Sequence, residues 1–159
     1  MPLKCAMSRN LDQLYQEVIL EHNKAPRNFG AMVSPSVFRH GKNPLCGDDY
    51  YVYLKIEQGK IADVSFEGTG CAISKASGSM MTSIVKGKTV EEVRKLKDCF
   101  LGLVTDHPSD DCAACLGSLR VFEGVKKYPA RVKCAALVWR ALEAALEEKA
   151  AGEVSTENS

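Results

Sequence analysis

Three cysteines and one aspartate are the residues best suited to chemistry: Cys46 in Asn43-Pro-Leu-Cys-Gly-Asp48, with Asp48 two positions on, Cys71 in Gly68-Thr-Gly-Cys-Ala-Ile-Ser74, and Cys134 in Pro129-Ala-Arg-Val-Lys-Cys-Ala135. Three thiolates and a carboxylate can fill a tetrahedral shell around zinc or hold iron in a small cluster. No two of these cysteines form a Cys-x-x-Cys pair, so the fold must bring them together. In extended chain, residues i and i+2 point to the same side, which lets Cys46 and Asp48 share one ion. Gly47 permits the tight backbone of a chelating loop, and Pro44 stiffens the approach to it. Cys71 follows Gly-Thr-Gly and opens a helix, whose N-terminus favours an anion and makes the thiol a good ligand or nucleophile. Cys134 falls near the start of the last helix, where Arg131 and Lys133 can offset thiolate charge. Singly, each has an ordinary structural reading: a strand-entry turn at Cys46–Asp48, a tight strand-to-helix junction at Cys71, a buried small residue at Cys134. Only together do they point to a metal.

The rest of the composition narrows the field. The chain has 159 residues, enough for one domain with a real core, and 21 basic residues balance 20 acidic ones for a formal charge of +1. Nothing in that balance suggests bulk attraction to nucleic acid or to an anionic membrane. The N-terminus lacks an apolar signal core, and no run approaches membrane-spanning length. Seven cysteines without a secretory signal favour metal or sulfur chemistry over disulfides, in a cytoplasmic protein.

The elements that must position these groups read as follows. Residues 11–24 show helical periodicity through Leu11, Leu14, Tyr15, Val18 and Ile19, with Asn10 and Gln13 resembling a capping box, and Ala25-Pro-Arg-Asn-Phe-Gly30 ends the helix. A short strand is expected at Val37–His40. Tyr50, Val52, Leu54 and Ile56 alternate with Tyr51, Tyr53, Lys55 and Glu57; after a turn at Gln58-Gly-Lys60, Ala62, Val64 and Phe66 alternate with Asp63, Ser65 and Glu67. That two-faced pattern predicts an antiparallel hairpin with helices on one side. Helices follow, one with Ile73, Ala76, Met80, Met81 and Ile84 on a single face and a stop at Gly87, one opened by a capping box at Thr89-Val-Glu-Glu92. Residues 101–128 carry a loop at Asp106–Asp111 and a short helix before Gly124. A last helix spans about 130–149, and the polar tail from Gly152 is expected to be disordered.

Taken together, the Asn43–Asp48, Gly68–Ser74 and Ala130–Ala135 segments resemble the three cysteine motifs of the IscU/NifU-type iron–sulfur assembly proteins. The resemblance begins at Leu11-Asp-Gln-Leu-Tyr-Gln-Glu-Val-Ile-Leu-Glu-His22, passes through Pro26-Arg-Asn28, and covers roughly residues 10–148. Typical IscU scaffolds carry a histidine immediately before the third cysteine and a Leu-Pro-Pro-Val-Lys segment for their chaperone. This chain has Lys133 and Lys127-Tyr-Pro-Ala-Arg131 instead, with extra residues before the third motif, and in all three it is similar to the SufU branch. The resemblance implies a single α+β domain over residues 10–149 with flexible tails at 1–9 and 150–159. Its small antiparallel sheet, about three-stranded, would pack against several helices. It implies one zinc ion on Cys46, Asp48, Cys71 and Cys134, with Cys46 accepting persulfide sulfur from a partner cysteine desulfurase of the SufS/IscS type. Arg131 and Lys133 would serve docking or charge balance. The implied role is that of a sulfurtransferase-like accessory protein handing sulfur toward downstream assembly proteins or apo-protein acceptors, with no nucleic acid or membrane partner. The alternative is a scaffold that builds a [2Fe–2S] cluster on the same ligands, and a third reading is a purely structural zinc adaptor.

Other candidates are weaker. Cys112-Ala-Ala-Cys115 lacks a surrounding βαβ pattern and Gly-Pro turn chemistry; a second metal there would draw on Asp106, His107 and Asp111. Cys5 reads as a tail thiol and Cys99 as a helix-packing residue. His22 and His40 read as structural or solvated, and Met80-Met81 as core.

Overall fold

The computed structural model describes residues 3–44, 47–105 and 113–151. A long helix α1 (Leu3–Lys24) precedes strands β1 (Val37–Asn43), β2 (Asp48–Glu57) and β3 (Lys60–Thr69). Helices α2 (Ala72–Val85), α3 (Val90–Val104), α4 (Ala113–Leu116), a 3-10 helix (Gly117–Lys127) and α5 (Pro129–Ala151) complete the order. The three strands form one antiparallel sheet in the order β1-β2-β3. Helix α5 lies against β1 and β2 and α2 against β3, so the described helices that touch the sheet share one face.

The alternation expected for β2 holds: Tyr50, Val52 and Leu54 are fully buried while Tyr51 and Tyr53 face out. In β3 the expected face changes at its start. A register shift between Lys55 and Ile56 sets Ile61 opposite Ile56, so Ile61 enters the core and Ala62 is exposed. A bulge inserts one residue and reverses the facing of everything before it. Strand β1 runs three residues past the expected His40. Asn10 lies within α1, which starts at Leu3, so it caps no helix. Thr89 makes the expected capping box with Glu92, whose carboxylate accepts the Thr89 backbone N–H at 2.9 Å.

Two fastenings position α2. At its middle, Ser77 donates its hydroxyl to the Ala135 carbonyl at 2.6 Å and accepts the Trp139 indole N–H at 3.2 Å. Trp139 stacks on Phe100 with ring centroids 4.6 Å apart, so the indole is at once core filler and a satisfied donor. At its far side, the Pro26-Arg-Asn28 segment is tied in. The Arg27 backbone N–H and the Asn28 amide donate to Ser79 Oγ and Thr82 Oγ1 at 2.8 and 3.0 Å, and Asn28 and Gly30 pair with the Phe66 backbone along the β3 edge. Ser79 Oγ also lies 2.6 Å from His22 Nδ1. Having accepted the Arg27 N–H, the hydroxyl is free to give its proton to the ring, which must then be neutral at Nδ1.

Gly78 brings the α2 backbone onto the sheet: a Cβ there would stand 2.5 Å from the Phe66 ring, which has no exposed surface. Gly78→Ala gains about 1 kcal/mol of helix propensity, but overpacking a sealed ring costs about 1–3 kcal/mol. The expected outcome is a lower urea midpoint; a variant more stable than the wild type would show that the ring can yield. His22 gives a pH signature. Burial first, then the Arg27 charge, holds its pKa below the ordinary value, with Glu21 pulling the other way. The unfolded chain therefore takes up the proton first as pH falls below about 6.5, so the contribution is complete above that pH and disappears as pH drops through the folded value. The wild-type urea midpoint should fall more between about pH 7.5 and 5.5 than that of His22→Asn; identical falls would remove His22 from the account.

Candidate metal centre

The hairpin between β1 and β2 closes with Asn43 opposite Asp48 and a 2.9 Å hydrogen bond from Gly47 N–H to the Asn43 carbonyl. Gly47 has φ +77, a left-handed value that glycine adopts without strain. Asp48 thereby starts β2 on the helix-covered face, with no exposed surface. Opposite it, the β3–α2 junction turns through Gly68 and Gly70. A Cβ at Gly68 (φ +145) would lie 2.0 Å from the Asp49 carbonyl oxygen, and one at Gly70 would lie 2.5 Å from Asp48 Oδ1, 2.7 Å from Ser74 Oγ and 2.8 Å from the Tyr50 ring. Both glycines of Gly-Thr-Gly are needed for the junction to come this close.

Cys71 is the N-cap of α2, and its Sγ accepts the Ser74 N–H at 3.4 Å. Its own N–H donates to Asp48 Oδ1 at 3.0 Å, while Asp48 Oδ2 stands 4.0 Å from the sulfur. Cys134, 5% exposed on the first turns of α5, completes the group: one ligand atom each from Asp48, Cys71 and Cys134 all lie within 4.8 Å of one another. With metal–sulfur bonds of about 2.3 Å, tetrahedral geometry sets ligand atoms about 3.8 Å apart, so this donor set fits a zinc-sized ion after small adjustments. Two thiols and a carboxylate are also the mixed soft and hard donors that zinc accepts.

The sequence reading passed over two residues beside the ligands. The Ser74 hydroxyl donates to the Cys71 carbonyl at 3.0 Å and sits 3.4 Å from the Tyr50 hydroxyl. Burial, and then the Asp48, Cys71 and Cys134 charges, push the Tyr50 phenol up to about 12, against the hydrogen bond with Ser74. It therefore remains a neutral wall of the site. The signal was present: Ser74 stands three residues after the N-cap, where a capping partner belongs. Tyr15, expected only as core, packs edge-on against Phe122 at 6.3 Å. Its phenol is raised by burial foremost, with Arg131 opposing and Cys71 adding, which places it in the field of both.

Arg131 is exposed with its guanidinium 4.6 Å over the Tyr128 ring, and Lys133 is exposed on α5. Cys46, Cys112, Asp106, His107 and Asp111 lie outside the described residues. Cys115 is free and exposed. Cys99 is buried in the core, as expected of a helix-packing residue, and it is also disulfide-bonded, which the argument from compartment does not foresee. No described helix is long and apolar enough to cross a membrane.

Comparison with known proteins agrees with this geometry. Residues 14–135 match the NifU-like N-terminal domain. The chain is 40% identical over 147 residues to the zinc-dependent sulfurtransferase SufU of Bacillus subtilis, covering 92% of this chain and 99% of that one. It is 38% identical over 140 residues to the iron–sulfur cluster assembly scaffold protein IscU of Streptococcus pyogenes, covering 88% and 87%. Among solved structures, one described as an iron–sulfur cluster assembly scaffold protein for the SUF system of Fervidobacterium islandicum superposes with a TM-score of 0.77 at 37% identity, covering 82% of this chain and 94% of that one.

The cradle itself is testable. Gly70→Ala drives a methyl group into Asp48, Ser74 and Tyr50 together, and should cost about 10–100-fold in zinc affinity, the range for disturbed outer-shell partners. Competition with a chromophoric chelator reads it, and an unchanged affinity would show that the close approach at Gly70 does not shape the site.

Proposed function

The chain belongs to the family of NifU-like N-terminal domains, and on that premise we propose that it is a zinc-dependent sulfur acceptor of iron–sulfur cluster assembly, loaded by a cysteine desulfurase. The observation that carries this is the convergence of one buried carboxylate and two thiols, from three separate elements, on a single point. Cys46 stands two residues before Asp48, so its Cα is within about 7 Å of that of Asp48 and it is the natural fourth donor.

Zinc, when bound there, holds thiolates deprotonated yet subdued until one is released as a strong nucleophile. Cys46 is the working thiol in this reading. Its thiolate attacks the terminal sulfur of the desulfurase persulfide; the bond between the two persulfide sulfurs breaks, and the donor cysteine leaves as a thiolate. Cys46 then carries the persulfide. Asp48, Cys71 and Cys134 retain the ion, with Cys71 held by its cap to Ser74 and Asp48 by the Cys71 N–H. Arg131 and Lys133, exposed at the start of α5, offer positive charge to a docking partner or to the thiolate cluster. The recipients are downstream assembly proteins or apo-proteins, and the setting is cytoplasmic. The working domain is taken as residues 10–149.

Lys133, where scaffold proteins of the family carry histidine, favours a relay over a [2Fe–2S] scaffold on the same ligands. The carboxylate ligand argues against a purely structural site, which is more often all cysteine and histidine. Metal analysis of aerobically and anaerobically purified protein, paired with radiolabelled sulfur transfer from the desulfurase, separates the readings. The expected result is about one zinc per chain, with sulfur loading lost in Cys46→Ser and zinc exchanging faster in Asp48→Ala. Iron with sulfide under anaerobic conditions, and no acceleration of the desulfurase, would replace the relay with the scaffold.

A further inference from the structure

A centre that holds several thiolates and accepts sulfur on one of them must keep the others from reacting. Cys134 is withheld by burial, at 5% exposure. Cys71 is not: it is only half-buried, and its sulfur is free. Some other restraint has to act on Cys71, and Ser74 stands beside it.

Ser74 meets the Cys71 sulfur twice, through its N–H at 3.4 Å and its hydroxyl oxygen at 3.6 Å. While Cys71 is a thiol, the S–H can donate to that oxygen, and the hydroxyl donates its own proton to the Cys71 carbonyl at 3.0 Å. A sulfur that binds a metal or attacks an electrophile is a thiolate and has no proton to give. The hydroxyl can then turn about its Cβ–Oγ bond and donate to the sulfur, because a charged acceptor outcompetes a neutral carbonyl. The turn orphans no group. The Cys71 carbonyl keeps the Lys75 N–H at 3.1 Å, and Ser74 Oγ is left to accept the Tyr50 hydroxyl at 3.4 Å. Neither Ser74 nor Tyr50 has any exposed surface, so bulk water does not compete for these hydroxyls.

On the premise of the zinc-bound sulfur acceptor, we propose that Ser74, backed by Tyr50, is the positioning residue that keeps Cys71 an unreactive ligand and so reserves incoming sulfur for Cys46. A thiolate that accepts two hydrogen bonds is less basic, and it attacks electrophiles more slowly because nucleophilicity follows basicity. Without the hydroxyl, the Cys71 thiolate competes for the terminal sulfur of the donor persulfide. The bond between the two persulfide sulfurs breaks, the donor cysteine leaves as a thiolate, and the sulfur ends on a residue meant to hold the ion.

Ser74→Ala removes the hydroxyl and keeps the N–H that caps α2. On the zinc-loaded full chain, iodoacetamide labelling followed by peptide mass spectrometry reads each cysteine separately and needs no sulfur donor. Ser74→Ala should speed labelling of Cys71 about 3–10-fold, the nucleophilic response to one hydrogen bond lost from a thiolate, and leave Cys134 unchanged. Tyr50→Phe, which leaves Ser74 in place, should give a smaller rise at the same residue. With cobalt in place of zinc, the thiolate-to-metal charge-transfer band should move to longer wavelength in Ser74→Ala, because the sulfur has lost a donor from its outer shell. Wild-type labelling of Cys71 in Ser74→Ala overturns the inference. Equal acceleration at Cys134 overturns it too, since a loosened fold would do the same. Radiolabelled sulfur from the desulfurase then tests the selection: label spreading to Cys71 in Ser74→Ala supports it, and label confined to Cys46 overturns it. The expected labelling pattern in a wild-type chain that takes up no sulfur would dismiss the relay and keep the restraint on Cys71.

Discussion

A carboxylate with no access to water stands beside two sulfurs, and the architecture answers that electrostatic problem. Thiolates at Cys71 and Cys134 beside the buried Asp48 carboxylate would repel one another and lose hydration, at a cost that neither hydrogen bonds nor packing offsets alone. The structure supplies a first instalment of positive potential: the Cys71 N–H is aimed at Asp48 Oδ1, and the Ser74 N–H in the first turn of α2 donates to the Cys71 sulfur. A divalent cation supplies the rest. The glycines at 68 and 70 follow from this, because any side chain would hold the helix N-terminus away from the carboxylate. So does the neutral Tyr50–Ser74 wall, which adds no charge of its own.

Each ligand reaches the centre from a different structural unit, and each unit is secured close to its ligand. Asp48 comes from the first residue of a strand whose partner residues pair on both sides. Cys71 comes from a helix pressed onto Phe66 at Gly78 and laced to the Pro26-Arg-Asn28 segment. Cys134 comes from a helix joined to α2 through the carbonyl of the very next residue, Ala135. These fastenings use no ligand atom and add to the hydrogen bonds that Cys71 Sγ and Asp48 Oδ1 themselves accept.

Much of this was legible in the residues themselves. The alternation in β2, the box at Thr89 and the glycine stop at Gly87 are local signals, decided within a few residues. That Asp48, Cys71 and Cys134 belong together was legible through the glycine, proline and basic residues placed around them. Ala62, expected on the face of Val64 and Phe66, turns outward because a bulge shifts facing without a compositional mark. The start of α1 was misjudged because periodicity in the apolar positions begins later than the helix. The Ser77–Trp139 clamp and the His22–Ser79 contact join positions 62 and 57 residues apart, and no single-sequence pattern couples such pairs. Cys99 belongs with them, since its sulfur bond is a product of folding. Tyr15 looked like any core residue because its helical position is apolar, and only packing reveals its edge-on contact with Phe122 and the influence of the Arg131 and Cys71 charges on its phenol.

The position of the Ser77–Ala135 hydrogen bond has a mechanical meaning. Helix α5 continues 16 residues beyond Ala135, about 24 Å at 1.5 Å per residue, while Cys134 lies only one residue, about 1.5 Å, on the other side. The hydrogen bond thus ties α5 to α2 beside the sulfur, far from the distal end of the helix. The long arm is itself held, with Leu142, Ala145 and Leu146 buried and Glu148 paired to Arg39 at 2.6 Å, so a disturbance at the distal end must loosen that packing before it can reach the sulfur.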